Sequence, residues 1–187
     1  MFLNSRKRRD VADAADRLYA AAVAQARQPG FYRDLGVPDT VDGRFELIAL
    51  HVFLLVDRLQ RDGEPGRETA QALFDAMFSD MDCCLREMGV GDLGVGKKVK
   101  FMAQGFNGRC IAYAEALRRP GNDEAMHVAL RRNVFGTVSQ EPPGHALHAL
   151  CAYLRREAET LAAAPGGPLL QGRAAFGAAP ALDGGRP

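Results

Sequence analysis

The chain is 187 residues long, the size of one globular domain with its own core. Its 47% hydrophobic and 25% charged residues exclude a globally disordered chain and a polytopic membrane protein. With 24 basic and 23 acidic residues, the formal net charge of +1 gives no indication of nucleic-acid binding, so no DNA partner is predicted.

A short basic segment opens the chain. Residues 1–10 contain Arg6, Lys7, Arg8 and Arg9 without an apolar region after them, so the segment is not a secretory signal. We interpret it as a solvated N-terminal arm. A weak electrostatic tether to anionic lipid or to ribosomal RNA is the alternative, because both surfaces attract basic clusters.

Two helices are predicted next, with a loop between them. Alanine-rich sequence from Val11 to Gln28 has helical spacing, and turn-forming residues fill 31–43, where Asp42 is placed to cap the following helix. That helix, about 43–61, contains an apolar run over 47–56, which predicts burial on all sides. The run is too short to cross a membrane, which needs about 20 residues, so it predicts a central core helix.

The clearest helical periodicity lies between Arg67 and Met88, and glycines 89 and 91 end it. Methionines on this stripe are favoured as core residues. Contact with a partner is the alternative, because the methionine side chain adapts to varied surfaces. These residues, with one methionine from the next helix, are Met77, Met81, Met88 and Met102.

Three further helices complete the predicted domain, at about 94–119, 123–135 and 142–161. From residue 164 onward the chain is mostly glycine, alanine and proline, which predicts a disordered tail over 164–187. No alternating strand pattern occurs. The sequence therefore predicts an all-α, single-domain bundle of about six helices over residues 11–163, with a buried central helix.

The spacing of the cysteines gives no sign of a disulfide framework. Cys83, Cys84, Cys110 and Cys151 lack the C-x-x-C spacing of zinc and redox sites. We predict reduced thiols that behave as small, mostly buried hydrophobic residues.

The sequence GDLGVGKK at 91–98 matches a phosphate-binding loop up to its last position. There Lys98 replaces the serine or threonine that binds magnesium, and a helix rather than a strand precedes the loop. A glycine-rich turn between helices is therefore favoured over nucleotide binding. Because a helix N-terminus disfavours cations, Lys97 and Lys98 are either a contact site or a surface pair compensated by Asp92.

Other catalytic and metal-binding motifs each lack a required residue or spacing in this sequence. His145 and His148 share a helix face, but a metal needs a third ligand, and the sequence offers no such motif. His51, inside the apolar run, is predicted to be a hydrogen-bonded core histidine. No serine lies in a nucleophile elbow, and Asp80 and Asp82 are two apart on a helix, so they do not face each other. We predict a non-catalytic protein without a cofactor or metal site.

Two stretches have a pattern that general physics does not explain. The first consists of QAR (25–27), FY (31–32), LGVPDTVDGRF (35–45) and LH (50–51). The second consists of FSDMD (78–82), LREMGVGD (85–92), VK (99–100), GR (108–109) and Tyr113. Together they resemble the ubiquinol–cytochrome c reductase assembly chaperone family, found in mitochondria and related bacteria, over about residues 18–153.

The resemblance implies a helical, non-catalytic chaperone that binds newly made cytochrome b and assists the biogenesis of respiratory complex III. It also implies a small co-chaperone and contact with the ribosome, as in mitochondrial members. Because the N-terminus lacks a serine-rich transit peptide, a bacterial cytoplasmic location is favoured over the mitochondrial matrix. Peripheral attachment to the inner face of the membrane is an alternative.

We predict that the partner is contacted by polar and charged residues of these motifs, which a core does not require. The alternative is that they cap helices or form internal ion pairs, with Asp42 capping and Arg86 bridging to a carboxylate. The predicted contact residues are Asp39, Thr40, Asp42, Arg44, Phe45, Asp80, Asp82, Arg86, Glu87, Asp92, Lys97, Lys98 and Arg109.

Two other functions stay open on the sequence alone. The His145/His148 pair and the long apolar helix would also fit a haem- or quinone-binding protein. The basic N-terminal arm together with Lys97 and Lys98 would fit a peripheral membrane adaptor that binds anionic lipid.

Overall fold

The structure is a computed structural model that describes residues 2–119, 121, 123–138 and 140–181, with side chains from Ser5 onward. Within these residues it has helices and no strands, which confirms the all-α prediction. Six helices have ten residues or more, and two have five. They are α1 (Phe2–Ala26), α2 (Pro29–Arg33), α3 (Val41–Leu59), α4 (Gly63–Glu87), α5 (Asp92–Leu117), α6 (Glu124–Asn133), α7 (Gly144–Ala163) and α8 (Gly166–Leu170).

Helix α3 is the centre of the bundle. Its apolar run leaves no polar face, and Leu47, Leu50 and Leu55 are completely buried. Helices α1, α4, α5, α7 and α8 all pack against α3, so the prediction of a central core helix is confirmed. In the part of the chain that the structure describes, no helix is both long and apolar enough to cross a membrane.

The bundle has two distinct ends. Helices α1 and α4 run parallel, since the Lys7 Nζ lies 2.8 Å from the Glu68 carboxylate and the Tyr19 hydroxyl donates to Asp80 at 2.6 Å. Helix α5 runs back along α4, with Phe106 packed against Phe78. The Lys7–Glu68 contact near the start of α1 and the Arg86–Asp92 contact at the start of α5 therefore lie toward opposite ends of α4, about 27 Å apart along its axis.

The prediction of a separate N-terminal arm over residues 1–10 is wrong, because its basic residues are part of helix α1. The helix begins at Phe2, and no glycine or proline separates the basic residues from the alanine-rich part. Lys7 attaches the first turns to α4 through Glu68, while Arg6, Arg8 and Arg9 are exposed.

The prediction of a disordered tail is wrong for residues 164–181, because this segment packs onto the bundle. Leu169 of α8 is 1% exposed, and the Phe176 ring meets the His51 ring edge-on at 5.1 Å. Two buried polar side chains hold the backbone of Gly177: Gln25 Nε2 donates to its carbonyl at 2.8 Å, and its N–H donates to Glu157 at 2.9 Å. Residues 182–187 of the predicted tail lie outside the described residues.

Arg58 positions the start of this C-terminal segment. Its Nε donates to the Leu161 carbonyl and its Nη2 to the Ala164 carbonyl, both at 2.8 Å, where the end of α7 leaves carbonyls without helical partners. An ion pair of 2.7 Å with Asp62 balances the buried guanidinium. Arg58, which follows the apolar run in the sequence, thus positions the chain where it turns back over the bundle after α7.

Candidate functional site

A groove of about 760 Å³ opens where the start of α3, the end of α4, the first half of α5 and the end of α6 meet. The α4–α5 connection brings the two ends together: Gly89 has a φ of 78°, and the Val90 N–H donates to the Leu85 carbonyl at 3.1 Å. Gly91 then precedes α5 as its N-cap. The phosphate-loop-like sequence is therefore a turn between two helices, as predicted.

Three methionines contribute to the apolar lining of this groove. Met81 and Met102 are half-buried against the core, and Met88 is 51% exposed. All three line the groove, whereas Met77 is completely buried in the core. The prediction that these residues are core is confirmed for Met77 and wrong for Met88, which lies at the end of α4, past the last turn packed on α3.

Exposed apolar side chains extend the same lining. Val41 at the start of α3 is 61% exposed, and Phe101 of α5 is 76% exposed. Neither was predicted as a site residue, since a single hydrophobic residue in a sequence gives no sign that it will face solvent. Exposure of apolar side chains to water is unfavourable, so we expect this surface to contact another apolar molecule.

An ion pair closes one wall of the groove. Arg109 donates from Nε to Glu46 Oε2 at 2.6 Å and from Nη2 to the other carboxylate oxygen, and its Cζ lies 5.8 Å from the centroid of the Phe45 ring. Burial raises the pKa of Glu46, and Arg109 opposes this shift. The pair joins α3 to α5, so two predicted contact residues, Phe45 and Arg109, also position the groove.

Lysines form the outer rim. Lys97 and Lys98 are exposed, line the groove, and have no ion-pair partner among the described residues. The alternative that Asp92 compensates them is wrong, because Asp92 pairs with Arg86 instead. A groove with an apolar wall and an unbalanced positive rim favours an apolar segment with acidic or carbonyl-rich flanks.

The acidic residues of the second motif have partners inside the chain. Arg86 Nε binds Asp82 at 2.6 Å, and its Nη1 binds Asp92, which links the end of α4 to the start of α5. Asp80 accepts the Tyr19 hydroxyl, and Glu87 lies 3.8 Å from the Cys83 thiol. The prediction that Arg86 bridges to a carboxylate is confirmed.

The loop before α3 has a similar internal role. Thr40 caps α3, since its Oγ1 accepts the Gly43 N–H at 3.2 Å, so the prediction that Asp42 is the cap is wrong. Arg44 binds Asp39 at 2.7 Å on the surface. Gly43 is required for this turn, because a Cβ there would lie 2.1 Å from the Pro38 carbonyl oxygen.

The structure thus divides the predicted contact residues into two groups. The residues that line the groove are Asp42, Phe45, Lys97, Lys98 and Arg109. The residues that lie outside its lining are Asp39, Thr40, Arg44, Asp80, Asp82, Arg86, Glu87 and Asp92.

His51 has the predicted structural role. Its Nδ1 lies 2.7 Å from the Leu47 carbonyl and its Nε2 lies 2.8 Å from the Tyr153 hydroxyl. Both contacts are satisfied if Nδ1 carries the proton and Tyr153 donates to Nε2. Gln25 Nε2 donates to the same hydroxyl at 2.9 Å, which completes a buried network between α1, α3 and α7.

The other histidines form no metal centre within the described ranges. His148 is exposed, and its ring packs edge-on against the His127 ring at 4.5 Å, while His145 is exposed. No group of three potential ligand residues comes together in the part of the chain that is described.

The cysteines are free thiols. Cys151 is buried, Cys84 and Cys110 are half-buried, and Cys83 is exposed. Burial raises the pKa of Cys110 to about 12 and that of Cys151 to about 11, so both stay protonated at neutral pH and are poor nucleophiles.

Comparisons with known proteins agree on one family. The sequence model described as "Ubiquinol-cytochrome C chaperone" matches residues 33–176. Over 157 residues the chain is 26% identical to "Ubiquinol-cytochrome c reductase complex assembly factor 1" of Mus musculus and 24% identical to that of Xenopus laevis. These alignments cover 84% of this chain, but 52% of the mouse and 76% of the frog protein, so the chain spans about half the length of the mouse relative.

A solved structure extends the likeness to the fold. The crystal structure of the Cbp3 homolog from Brucella abortus superposes with a TM-score of 0.80 and 34% sequence identity. The superposition covers 96% of this chain and 98% of that one. It therefore includes the C-terminal segment that the sequence alone predicted to be disordered.

Proposed function

The chain belongs to the ubiquinol-cytochrome C chaperone family, and on that basis we propose that it is a non-catalytic chaperone that binds newly made cytochrome b during complex III assembly. The vertebrate relatives bear the name of assembly factors of ubiquinol-cytochrome c reductase. The observation that carries the proposal is the methionine-lined groove, because a subunit rich in transmembrane helices exposes long apolar segments before it enters the bilayer.

The chemistry of the groove suits such a client. Met81, Met88 and Met102 present flexible, polarizable side chains that adapt to segments of different sequence. The fixed Glu46–Arg109 pair gives the groove one rigid wall. An amphipathic or apolar helix lying in this groove would bury the exposed Val41 and Phe101 side chains.

We also propose that the remaining motif residues act indirectly. Thr40, Asp39 and Arg44 hold the start of α3, and Arg86 holds the α4–α5 turn, so they set the width of the groove. A co-chaperone and ribosomal RNA are further proposed partners. The exposed Arg6, Arg8 and Arg9 at the other end of the bundle are the candidate residues for RNA, because phosphate groups attract such clusters.

A deletion strain tests the biological role. We expect loss of the gene to lower the level of cytochrome b and the activity of complex III, with other respiratory complexes unaffected. Blue-native electrophoresis and haem spectra of isolated membranes measure both. Normal cytochrome b and normal complex III activity in the deletion strain would refute the proposed function.

Introducing negative charge into the apolar part of the groove tests the proposed contact surface. The double variant Val41→Glu/Met88→Glu places two carboxylates among apolar contacts at exposed positions, so the fold should persist while the client is repelled. We expect cross-linking to newly made cytochrome b to fall at least tenfold. Helical content measured by circular dichroism should match that of the unaltered chain.

Val128→Glu is the matched control for the groove variant. Val128 is 50% exposed on α6 and does not line the groove. It should leave cross-linking to cytochrome b within about twofold. An equal loss of cross-linking in the control and in the groove variant would place the client elsewhere on the surface.

A further inference from the structure

The outward side of α5 carries apolar residues that nothing in the described part of the chain covers. Leu93 is 88% exposed, Phe101 76% and Ile111 53%, the first two being the most exposed large hydrophobic side chains of the described residues. At 100° per residue, all three point to the same side of the helix, opposite the buried Val95 and Phe106. Leu93 and Ile111 lie outside the groove lining, whereas Phe101 lies where this side of α5 meets the groove.

This side of α5 is also positively charged. Between Leu93 and Ala114 the sequence contains Lys97, Lys98, Lys100 and Arg109 and no aspartate or glutamate. Arg109 is engaged with Glu46, but the three lysines are exposed and have no ion-pair partner among the described residues. In a chain with a net charge of +1, positive charge is thus concentrated beside the exposed apolar residues.

We propose that the outward face of α5, formed by Leu93, Phe101, Ile111 and the lysines at 97 and 100, with Lys98 at its edge, binds the surface of an anionic phospholipid bilayer. Protruding apolar side chains enter a deformable interface without a shaped partner pocket, and lysines beside them reach phosphate groups. A protein partner would need a matching cavity for each protrusion. This inference does not depend on binding of cytochrome b.

The basic start of α1 is the competing candidate for membrane contact. It lies at the opposite end of α4 from Leu93 and the three lysines, so the lysine and arginine clusters can be tested separately. Around these arginines no large exposed apolar side chain is found among residues whose side chains are described. Salt screens an attraction that rests on charge alone.

Vesicle flotation of the full chain tests the proposal. We expect it to float with vesicles of phosphatidylcholine containing 30 mol% phosphatidylglycerol at low salt and not with phosphatidylcholine alone. Substituting Lys97→Gln, Lys98→Gln and Lys100→Gln together should weaken the partition coefficient about 100-fold, because each lysine near an anionic surface contributes about fivefold. Binding should also weaken in 0.5 M salt.

The matched control removes three exposed arginines at the other end of the bundle, as Arg6→Gln/Arg8→Gln/Arg9→Gln. It should change the partition coefficient less than fivefold. Equal weakening by both triple variants, or absence of flotation of the unaltered chain, overturns the proposal. If the lysine variant instead loses cross-linking to cytochrome b while the unaltered chain never binds vesicles, this face contacts a protein.

Fluorescence locates the contact independently of charge. The chain contains no tryptophan, so Phe101→Trp introduces a single reporter on this face. Its emission should shift to shorter wavelength with anionic vesicles and be quenched by brominated lipid, whereas Ala162→Trp on the exposed side of α7 should show neither change. Flotation without a shift at position 101 would overturn the proposal.

Discussion

Leu169→Ala is expected to lower the free energy of unfolding by about 3 kcal/mol, as is typical of a leucine lost from a packed core. Leu169 is 1% exposed although glycine, alanine and proline surround it in the sequence. It anchors α8, from which the chain continues to Phe176 and Gly177 over the buried His51 and Gln25. Denaturation in urea, followed by circular dichroism, measures the change.

Leu93→Ala is the matched control for this substitution. It removes the same atoms from a side chain that is 88% exposed, so the free energy of unfolding should change by less than about 0.5 kcal/mol. If Leu169→Ala were equally harmless, the segment 164–181 would contribute nothing to stability. A chain that ends at residue 164 should lose more than Leu169→Ala, because it also lacks the Gly177 hydrogen bonds to Gln25 and Glu157.

The free energy of unfolding is expected to fall as the pH drops below about 6.5, by about 2 kcal/mol at pH 5 and about 3 kcal/mol at pH 4 from His51 alone. Burial lowers the pKa of His51 to about 4, against its ordinary value of 6.5. Between these values the unfolded chain takes up a proton that the folded chain does not, so acid favours unfolding. Above about pH 7.5 His51 is neutral in both states and its contribution to stability is complete.

His51→Gln tests the assignment of this pH dependence. Glutamine does not titrate, so the slope of stability against pH between 6.5 and 4 should be smaller in the variant, although its stability at pH 7 is lower. An unchanged slope in His51→Gln would assign the acid sensitivity to other groups.

The periodicity of apolar residues was sufficient to predict the six longer helices of the bundle. The run from Leu47 to Val56 predicted the buried α3, and the glycines at 89 and 91 predicted the turn before α5. These signals are local: an apolar residue every three or four positions, or a residue that tolerates positive φ, has one common structural meaning. The motifs likewise identified the family without any tertiary information.

The groove could be predicted only in part. Phe45 and Arg109 were found through the motifs, and partner contact by Met88 was only the alternative to a core role. Val41 and Phe101 were not predicted, because exposure depends on which neighbours the fold supplies. The partner of Arg109 is 63 residues away in sequence, and no pattern in one chain indicates that it pairs with Glu46.

The sequence by itself determined the all-α class, the central position of α3 and the family, since each rests on local pattern or on motif identity. Only the tertiary structure decided that residues 164–181 are ordered. Their composition buries little surface locally, but Arg58, Gln25 and Glu157 supply hydrogen bonds to their backbone, and α1 and α3 supply the apolar surface that covers Leu169 and Phe176. A segment with few apolar residues becomes ordered when residues distant in the sequence form hydrogen bonds with its backbone groups. Only the tertiary structure shows which residues these are.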